Sequence, residues 1–581
     1  MSEGRSAASV RADRAAVRHA ARTAGPTALV LGLVAVVLAG VWTLFLKYES
    51  HWSVDSAIRE LMIKRVAEGG LAGLTVPNLA AEVDPEGRFF PRFFFVGRED
   101  GYRFAFQPLI AVLGAVPYGL LGRAGLPAIP LLGALALGWV TALGAQRIRP
   151  ESAAPAAALL LLATPVALYA VTLWDHLPSV AMLTGGTYLI WRHGLESAPR
   201  LGEVAAGGFL IGAALLFRNE AYAYGLAVAV AWVVSAPRAK ASGLVALVVG
   251  FAAGWALNAG WNRVVFGDPF GPKAVAVAAQ QVGALRDPEI GGFVTSRLWK
   301  LYLFVIAPDF QQRATVDVLA GMAAFATIAL AAGLLSTRHP ERRLGPVAAS
   351  LWLVALATIW VLGARGQVTG FFWVAPYLVM AFVYRPASPL RRFLWVVGLV
   401  FAALVIGTAS QGGYQWGPRY LLAVYPIALW LALDGWFAAS DGFRRGVRVP
   451  VTVLVVLAGL AQAAGVDHAD TGAWQGSAVV QALRTARTEY VATGVEGFAW
   501  FFAPYYGEKK ILAVDSAEEL RDLVHMLLRA RLERFTYVPR DALFDPRIIE
   551  RENSSGVSYR RVDDRNHLGM RLIEYRLDRT P

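Results

Sequence analysis

Apolar residues gather in long runs along the chain, at 27–46, 245–257, 318–335 and 394–406 among others, and charged residues are nearly absent from them. A run of about 18–20 apolar residues is the length a helix needs to cross a hydrocarbon core of about 30 Å. Read this way, the pattern predicts spans near 27–46, 126–145, 154–173, 178–192, 204–217, 221–236, 242–261, 317–336, 345–363, 370–384, 393–409, 420–437 and 449–465. The expected fold class is a multi-pass α-helical membrane protein of about 13 spans. Two segments fit less simply. Residues 107–122 are apolar but short and contain Pro108 and Pro117, which suits a re-entrant or interfacial segment. Residues 204–232 form two short runs that turn at Arg218-Asn219-Glu220, and such a polar turn can sit below the surface in a water-filled cavity.

The pattern changes after residue 465. Segments 490–495, 511–514 and 535–538 read as strands. Ser516 and Glu519 form a capping-box pair, and Leu520, Leu523, Val524, Leu527 and Leu528 trace one helical face. Residues 511–538 therefore predict a βαβ unit in a small α/β domain. The aromatic stretch 498–506 either touches lipid or glycan or, as is commoner for such a stretch, packs against the membrane domain. Three regions follow: a basic tail (1–24), a membrane domain (25–465) with outer loops at 47–106 and 262–316, and an α/β domain (466–581).

Composition agrees. Of 581 residues, 56% are hydrophobic and 17% charged, too few charges for a soluble chain of this size. The absence of cysteine excludes disulfides, thiol catalysis and cysteine-based metal centres. The net charge of +13 is expected to reflect contact with anionic lipid. No motif for nucleic acid is present, and no nucleic-acid partner is expected.

Loop charge orients the chain. One side carries Arg147/Arg149, Arg192/Arg200, Arg238/Lys240, Arg338/Arg342/Arg343, Arg385/Arg391/Arg392 and Arg444/Arg445/Arg448, whereas the short loops opposite carry Arg218, Arg365 and Arg419. The positive-inside rule then puts the N-terminus in the cytoplasm and the domain after 466 outside, in a cell (inner) membrane. This parity holds if 107–122 does not span.

The candidate chemistry falls on the outer side. Asp55 follows the first span in His51-Trp52-Ser53-Val54-Asp55-Ser56, at the start of a helical stretch 57–68. Two roles fit it: an N-cap, or a general base that takes a proton from an attacking hydroxyl. Glu82-Val83-Asp84 reads as a solvated turn or as a weak divalent-cation site; no cofactor is otherwise called for. Trp174-Asp175-His176 ends the third span, where ionisable groups facing a cavity tend to be functional. Arg218 and Glu220 pair or face the same side. In the hairpin 411–420, Arg419 either snorkels or binds phosphate in bidentate fashion.

A first span leading to an outer loop with an early Asp, an Arg-x-Glu turn (Arg218-Asn219-Glu220) and a Gly-x-Arg-Tyr hairpin (Gly417-Pro418-Arg419-Tyr420) together resemble the GT-C superfamily of membrane glycosyltransferases. The likeness is to bacterial protein O-mannosyltransferases and aminoarabinose transferases. It implies an inverting transfer of a sugar from a polyprenyl-phosphate donor to a glycan, lipid or protein acceptor, with Asp55 as base. It also implies that Arg218 or Arg419 holds the lipid phosphate and that 107–122, beginning at Gln107, sits near the prenyl chain. Asp84, Trp174, Asp175, His176, Glu220 and Tyr420, placed on the same outer side by loop charge, are the further substrate-binding candidates. Many relatives have Asp-Glu where this chain has Asp55-Ser56, so neither a second adjacent carboxylate nor a metal is implied. The rival readings are a lipid-linked glycan polymerase or ligase, and a polytopic transporter or flippase.

Overall fold

The computed structural model describes residues 7–91, 95–98, 101–195, 199–235, 240–271, 290–306, 315–364, 368, 370–385, 388–408, 414–494, 501, 506–514, 516–539, 557–567 and 570–579. Arg365, residues 411–413 of the hairpin, most of the stretch 498–506 and much of the loop 262–316 lie outside them. The chain divides into two compact units, one of Met1–Val41 with Pro130–His468 and one of Trp42–Ile129 with Ala469–Pro581.

The first unit is helical. Among the described residues six helices of the chain are long and apolar enough to cross a membrane, and shorter apolar helices occupy most of the other predicted spans. Large apolar side chains point outward from them, as at Val36 (72% exposed) and Val264 (72%). Such faces need lipid around them, and the chain is a multi-pass membrane protein.

Two predicted spans are not single α-helices. The segment 154–173 breaks into Ala153–Leu162 and Val166–Ala170. Pro165 has no N–H and clashes with a continuing helix. Thr164 closes the gap, donating its hydroxyl to Leu160 (2.6 Å) and accepting from the Val166 amide (3.3 Å). The segment 370–384 is a four-residue turn of helix, Phe371–Val374, followed by a 3₁₀ stretch, Pro376–Phe382. The helices on either side of Arg218, Leu201–Ala213 and Ala221–Ser235, have 13 and 15 residues. At 1.5 Å per residue each falls short of about 30 Å.

Glycine sets the closest helix packing. Gly208 and Gly212 of Leu201–Ala213 meet Gly250 and Gly254 of Lys240–Phe266. A Cβ on Gly208 would lie 2.3 Å from the Leu247 carbonyl oxygen, and one on Gly250 would lie 1.9 Å from that of Ala205. Both pairs have Gly-x-x-x-Gly spacing, which lets backbones touch where apolar burial drives little association.

In the second unit, helix Val54–Gly69 is largely buried through Ala57, Ile58, Leu61, Met62 and Ile63. It packs on helix Leu109–Leu121, where Gly114 has room for Ile63 but none for a side chain of its own. That second helix has 13 residues, about 20 Å by its rise. At that length it falls short of about 30 Å, as do the two helices beside Arg218. Strands Thr75–Val76, Gly101–Phe104 and Phe95–Arg98 form a small antiparallel sheet in that order.

The α/β pattern expected near the C-terminus is present. Strands Tyr490–Thr493, Lys510–Ala513 and Arg534–Val538 are parallel, with Tyr490–Thr493 in the middle. Ser516 caps helix Ala517–Arg529 by accepting from the Glu519 amide at 3.1 Å. The sequence reading missed an antiparallel pair, Val557–His567 and Met570–Arg579, that completes a five-stranded mixed sheet. The first of these strands is so rich in Arg and Asp that no apolar alternation marks it.

Two further differences concern boundaries. The span expected to end at 465 continues as one 45-residue helix, Asp441–Thr485, about 68 Å long. The first outer loop also shares a core with the C-terminal sheet. Ala80, Val83 and Phe89 pack with Leu520, Leu523, Phe535 and Ile573, and the Ala513 amide donates to the Phe89 carbonyl at 2.8 Å.

Candidate active site

In the first unit the break at Pro165 ends in a tight turn, in which the Trp174 amide donates to the Thr172 carbonyl at 2.8 Å. The next helix, His176–Gly194, starts directly after it. Asp175 and His176 are thereby held inside the protein, at 2% and 3% exposure. His176 Nδ1 lies 3.5 Å from Asp175 Oδ1.

Arg218 reaches this turn from between the two short helices. Its Nη1 donates to Asp175 Oδ1 at 3.0 Å, and its Nε donates to Glu220 Oε2 at 3.0 Å. A second guanidinium nitrogen bonds the other Glu220 oxygen. Burial disfavours the Arg218 cation, but Glu220 and Asp175 more than reverse that and hold its pKa well above the usual value. Burial likewise raises the Glu220 carboxyl, and Arg218 pulls it below the ordinary carboxylate range. Arg218 and Glu220 are therefore charged at neutral pH.

The hairpin supplies the second arginine. Strands Tyr414–Gln415 and Gly417–Pro418 pair across Trp416. Gly417 takes a left-handed φ of 66° and packs against Pro165, whose Cγ would lie 2.7 Å from an added Cβ. Only glycine suits both conditions. The next turn presents Arg419 and Tyr420. The Arg419 guanidinium lies 5.1 Å from the ring centres of both Trp174 and Tyr420, and Arg218 lies 5.7 Å from that of Tyr420. Both arginines, with His176, Ser179, Glu220 and Tyr420, line an open cleft. Phe401 and Leu183 add apolar wall. The cleft is suited to an oxyanion, because two guanidiniums face it beside a tyrosine hydroxyl.

Trp174, Asp175, His176, Arg218, Glu220, Arg419 and Tyr420 are thus brought together in the first unit. Asp55, Asp84 and Gln107 belong to the second. Ser53, not Asp55, caps helix Val54–Gly69, accepting from the Ser56 amide at 3.3 Å. The N-cap alternative for Asp55 is therefore set aside. Asp55 lies in the first turn with a side chain 16% exposed, and Arg59 Nη1 is 4.0 Å from its Oδ2.

Asp84 is 2% exposed, and its two carboxylate oxygens accept from the Arg88 and Phe89 amides, both at 2.8 Å. Glu82 instead pairs with Lys510 and Tyr490. The two carboxylates point to different partners, which corrects the idea of a shared cation. Among the described residues no group of three His, Cys, Asp or Glu could hold a metal. Gln107 precedes helix Leu109–Leu121, next to Phe106, whose ring lies 4.2 Å from the buried Arg59 guanidinium.

Sequence reasoning missed a buried ionic cluster in the second unit. His51 Nε2 lies 2.5 Å from Glu60 Oε2, and Arg123 Nε lies 2.9 Å from Glu60 Oε1. Burial raises the Glu60 carboxyl, but the hydrogen bond and charge of His51 and the charge of Arg123 hold it below the ordinary value. Glu60 and Arg123 are 63 residues apart, so nothing local in the sequence marks their pairing.

No protein-family model matches the chain, and no curated protein matches it. Its structure is similar to two crystal structures of ArnT from Cupriavidus metallidurans. The apo form gives a TM-score of 0.37 at 15% identity, over 94% of this chain and 97% of that one. The form bound to undecaprenyl phosphate gives 0.36 at 16% identity, over 93% and 97%.

Proposed function

We propose that this protein is an inverting glycosyltransferase that moves a sugar from a polyprenyl-phosphate donor to an acceptor hydroxyl at the outer face of the cell membrane. The observation that carries the reading is the cleft on which Arg218 and Arg419 both open beside Tyr420 and His176. A phosphate leaving group gains charge as its bond to the anomeric carbon breaks, and fixed guanidiniums in a partly dry site stabilise that charge. Arg218 is neutralised by Asp175 and Glu220 and held in place by them. Arg419, stacked on Trp174 and Tyr420, is the better phosphate ligand.

In this proposal the acceptor oxygen attacks the anomeric carbon on the face opposite the phosphate. Its proton goes to the Asp55 carboxylate, a new C–O bond forms, and polyprenyl phosphate departs. The support for Asp55 is its place in the first turn after the first span and its partial exposure. The outward orientation is supported by the basic loops of the opposite side.

The test is a transfer assay with the purified protein and a polyprenyl-phosphate sugar, following release of polyprenyl phosphate. Asp55→Ala is expected to lower kcat by 10²-fold or more, on the order expected for loss of a general base. Undiminished turnover in that variant rules out the base role. Arg419→Ala is expected to raise the donor KM, and an unchanged donor KM removes Arg419 from the phosphate site. Translocation of sugar-lipid that survives loss of Asp55 would favour a transporter instead.

A further inference from the structure

We propose that Tyr169 is a positioning residue of the cleft, holding the hairpin that carries Arg419 against the turn that carries Trp174 and His176. The inference rests on the reading of Arg419 as the phosphate ligand.

Tyr169 lies on the five-residue helix Val166–Ala170, just after the break at Pro165, and is fully buried. Its hydroxyl donates to the Trp416 carbonyl at 3.2 Å, across 247 residues of chain. Trp416 is the turn residue of the hairpin, three positions before Arg419. The Tyr169 ring also packs on the turn, 4.9 Å from the Trp174 ring and 5.8 Å from the His176 ring, centre to centre. One side chain thus touches both elements whose side chains meet in the cleft. Gly417 seats the same hairpin on Pro165, and its amide donates to the Val368 carbonyl at 2.9 Å.

Arg419 depends on this arrangement. A guanidinium between two aromatic faces keeps its plane, so its N–H edge has one direction. Trp174 supplies one of those faces, and Tyr169 fixes both Trp174 and the backbone leading to Arg419. Without the Tyr169 hydroxyl, the Trp416 carbonyl loses that buried donor, and the hairpin is free to shift to find another. A shift of about 1 Å in a charged group facing a transferred phosphate is costly.

The test uses the full chain in lipid nanodiscs, with Tyr169→Phe, which keeps the ring and removes the hydroxyl. The polyprenyl-phosphate Kd, the donor and acceptor KM, kcat and Tm are measured. The expected result is a rise of about 5–10-fold in polyprenyl-phosphate Kd and donor KM, on the scale of one buried hydrogen bond, with acceptor KM and Tm little changed. Added to Arg419→Ala, Tyr169→Phe is expected to weaken phosphate binding no further, because its effect passes through Arg419. Trp174→Phe, with a smaller face for Arg419, is expected to act in the same direction and serves if Tyr169→Phe folds poorly. Unchanged donor binding in Tyr169→Phe, with an active wild type, overturns this inference alone. Full additivity with Arg419→Ala, or a fall in Tm with equal loss of donor and acceptor affinity, shows a merely structural residue. A wild-type chain that binds no polyprenyl phosphate overturns the proposed function and this inference with it.

Discussion

Arg218 donates to the Asp175 carboxylate over 3.0 Å, joining two turns that lie 43 residues apart. With Glu220 on its other edge, the arginine sits between two carboxylates, and Asp175 itself is almost fully buried. Breaking such a group leaves charge without compensation, and this is costlier than replacing the whole set.

Arg218→Ala is therefore expected to destabilise the protein by roughly 3–5 kcal/mol and to abolish transfer. Asp175→Asn, which keeps the shape and removes one charge, should cost less. The double variant Arg218→Met with Asp175→Asn should recover part of the stability but none of the activity. Thermal unfolding in detergent, read beside a transfer assay, separates these outcomes.

The glycine contacts between Leu201–Ala213 and Lys240–Phe266 give a prediction that does not involve the cleft. A methyl at Gly250 would overlap the Ala205 carbonyl, whereas one at Gly260, on the same helix, meets nothing within 4 Å. Gly250→Ala should cost about 1–3 kcal/mol or more through overpacking. Gly260→Ala should be neutral or stabilising by up to about 1 kcal/mol. Equal Tm values for the two variants would contradict the packing.

The Glu60 cluster predicts a pH dependence. The folded-state pKa of Glu60 lies below its ordinary value of 4.5 because the attraction of His51 and Arg123 outweighs burial. Its contribution to stability is then fully present above about pH 4.5 and is lost as pH falls through the lower folded pKa. Glu60→Gln should be less stable than wild type at pH 7, with the difference shrinking toward pH 4. Unfolding curves across that range check the sign, and a gap that widens on acidification contradicts it.

Asp84 accepts two backbone amides through its carboxylate and the Asn78 side-chain amide through its carbonyl, closing the loop between Asn78 and Phe89. Asp84→Ala should cost about 2–3 kcal/mol locally, as for loss of hydrogen bonds to a charged group. It should also open the segment 82–88 to protease. Cleavage there at the wild-type rate would show that the loop does not depend on this carboxylate. Because Val83 and Phe89 lie in the same core as the C-terminal sheet, truncating the chain at 466 is expected to expose that loop as well.

Much of the architecture was legible because the bilayer imposes a strong, local rule: apolar runs of a certain length become helices wherever they occur. The helices at 27–46, 126–145 and 242–261 followed from that alone, as did the parallel strands and capped helix near the C-terminus, whose signals lie within a few residues of one another. The break at Thr164-Pro165 lies inside a run that reads as one span, and the rescue by the Thr164 hydroxyl depends on backbone geometry. The antiparallel pair near the C-terminus was hidden because its first strand clusters Arg and Asp and shows no apolar alternation. Its order comes from pairing with a neighbour, which composition does not encode.

The sequence by itself determined that the chain enters a membrane many times, and that Trp174, Asp175, His176, Arg218, Glu220, Arg419 and Tyr420 were the side chains to watch. Only the tertiary structure decided that these seven meet, that Asp84 serves its own loop, and that Tyr169 and Glu60 belong among the residues that matter. The physical reason is range. Hydropathy and capping act over a few residues and leave their mark in order along the chain. A salt bridge such as Arg218–Asp175, or a hydrogen bond such as that from Tyr169 to Trp416, joins residues that only the packing of whole helices brings within 3 Å or so of each other.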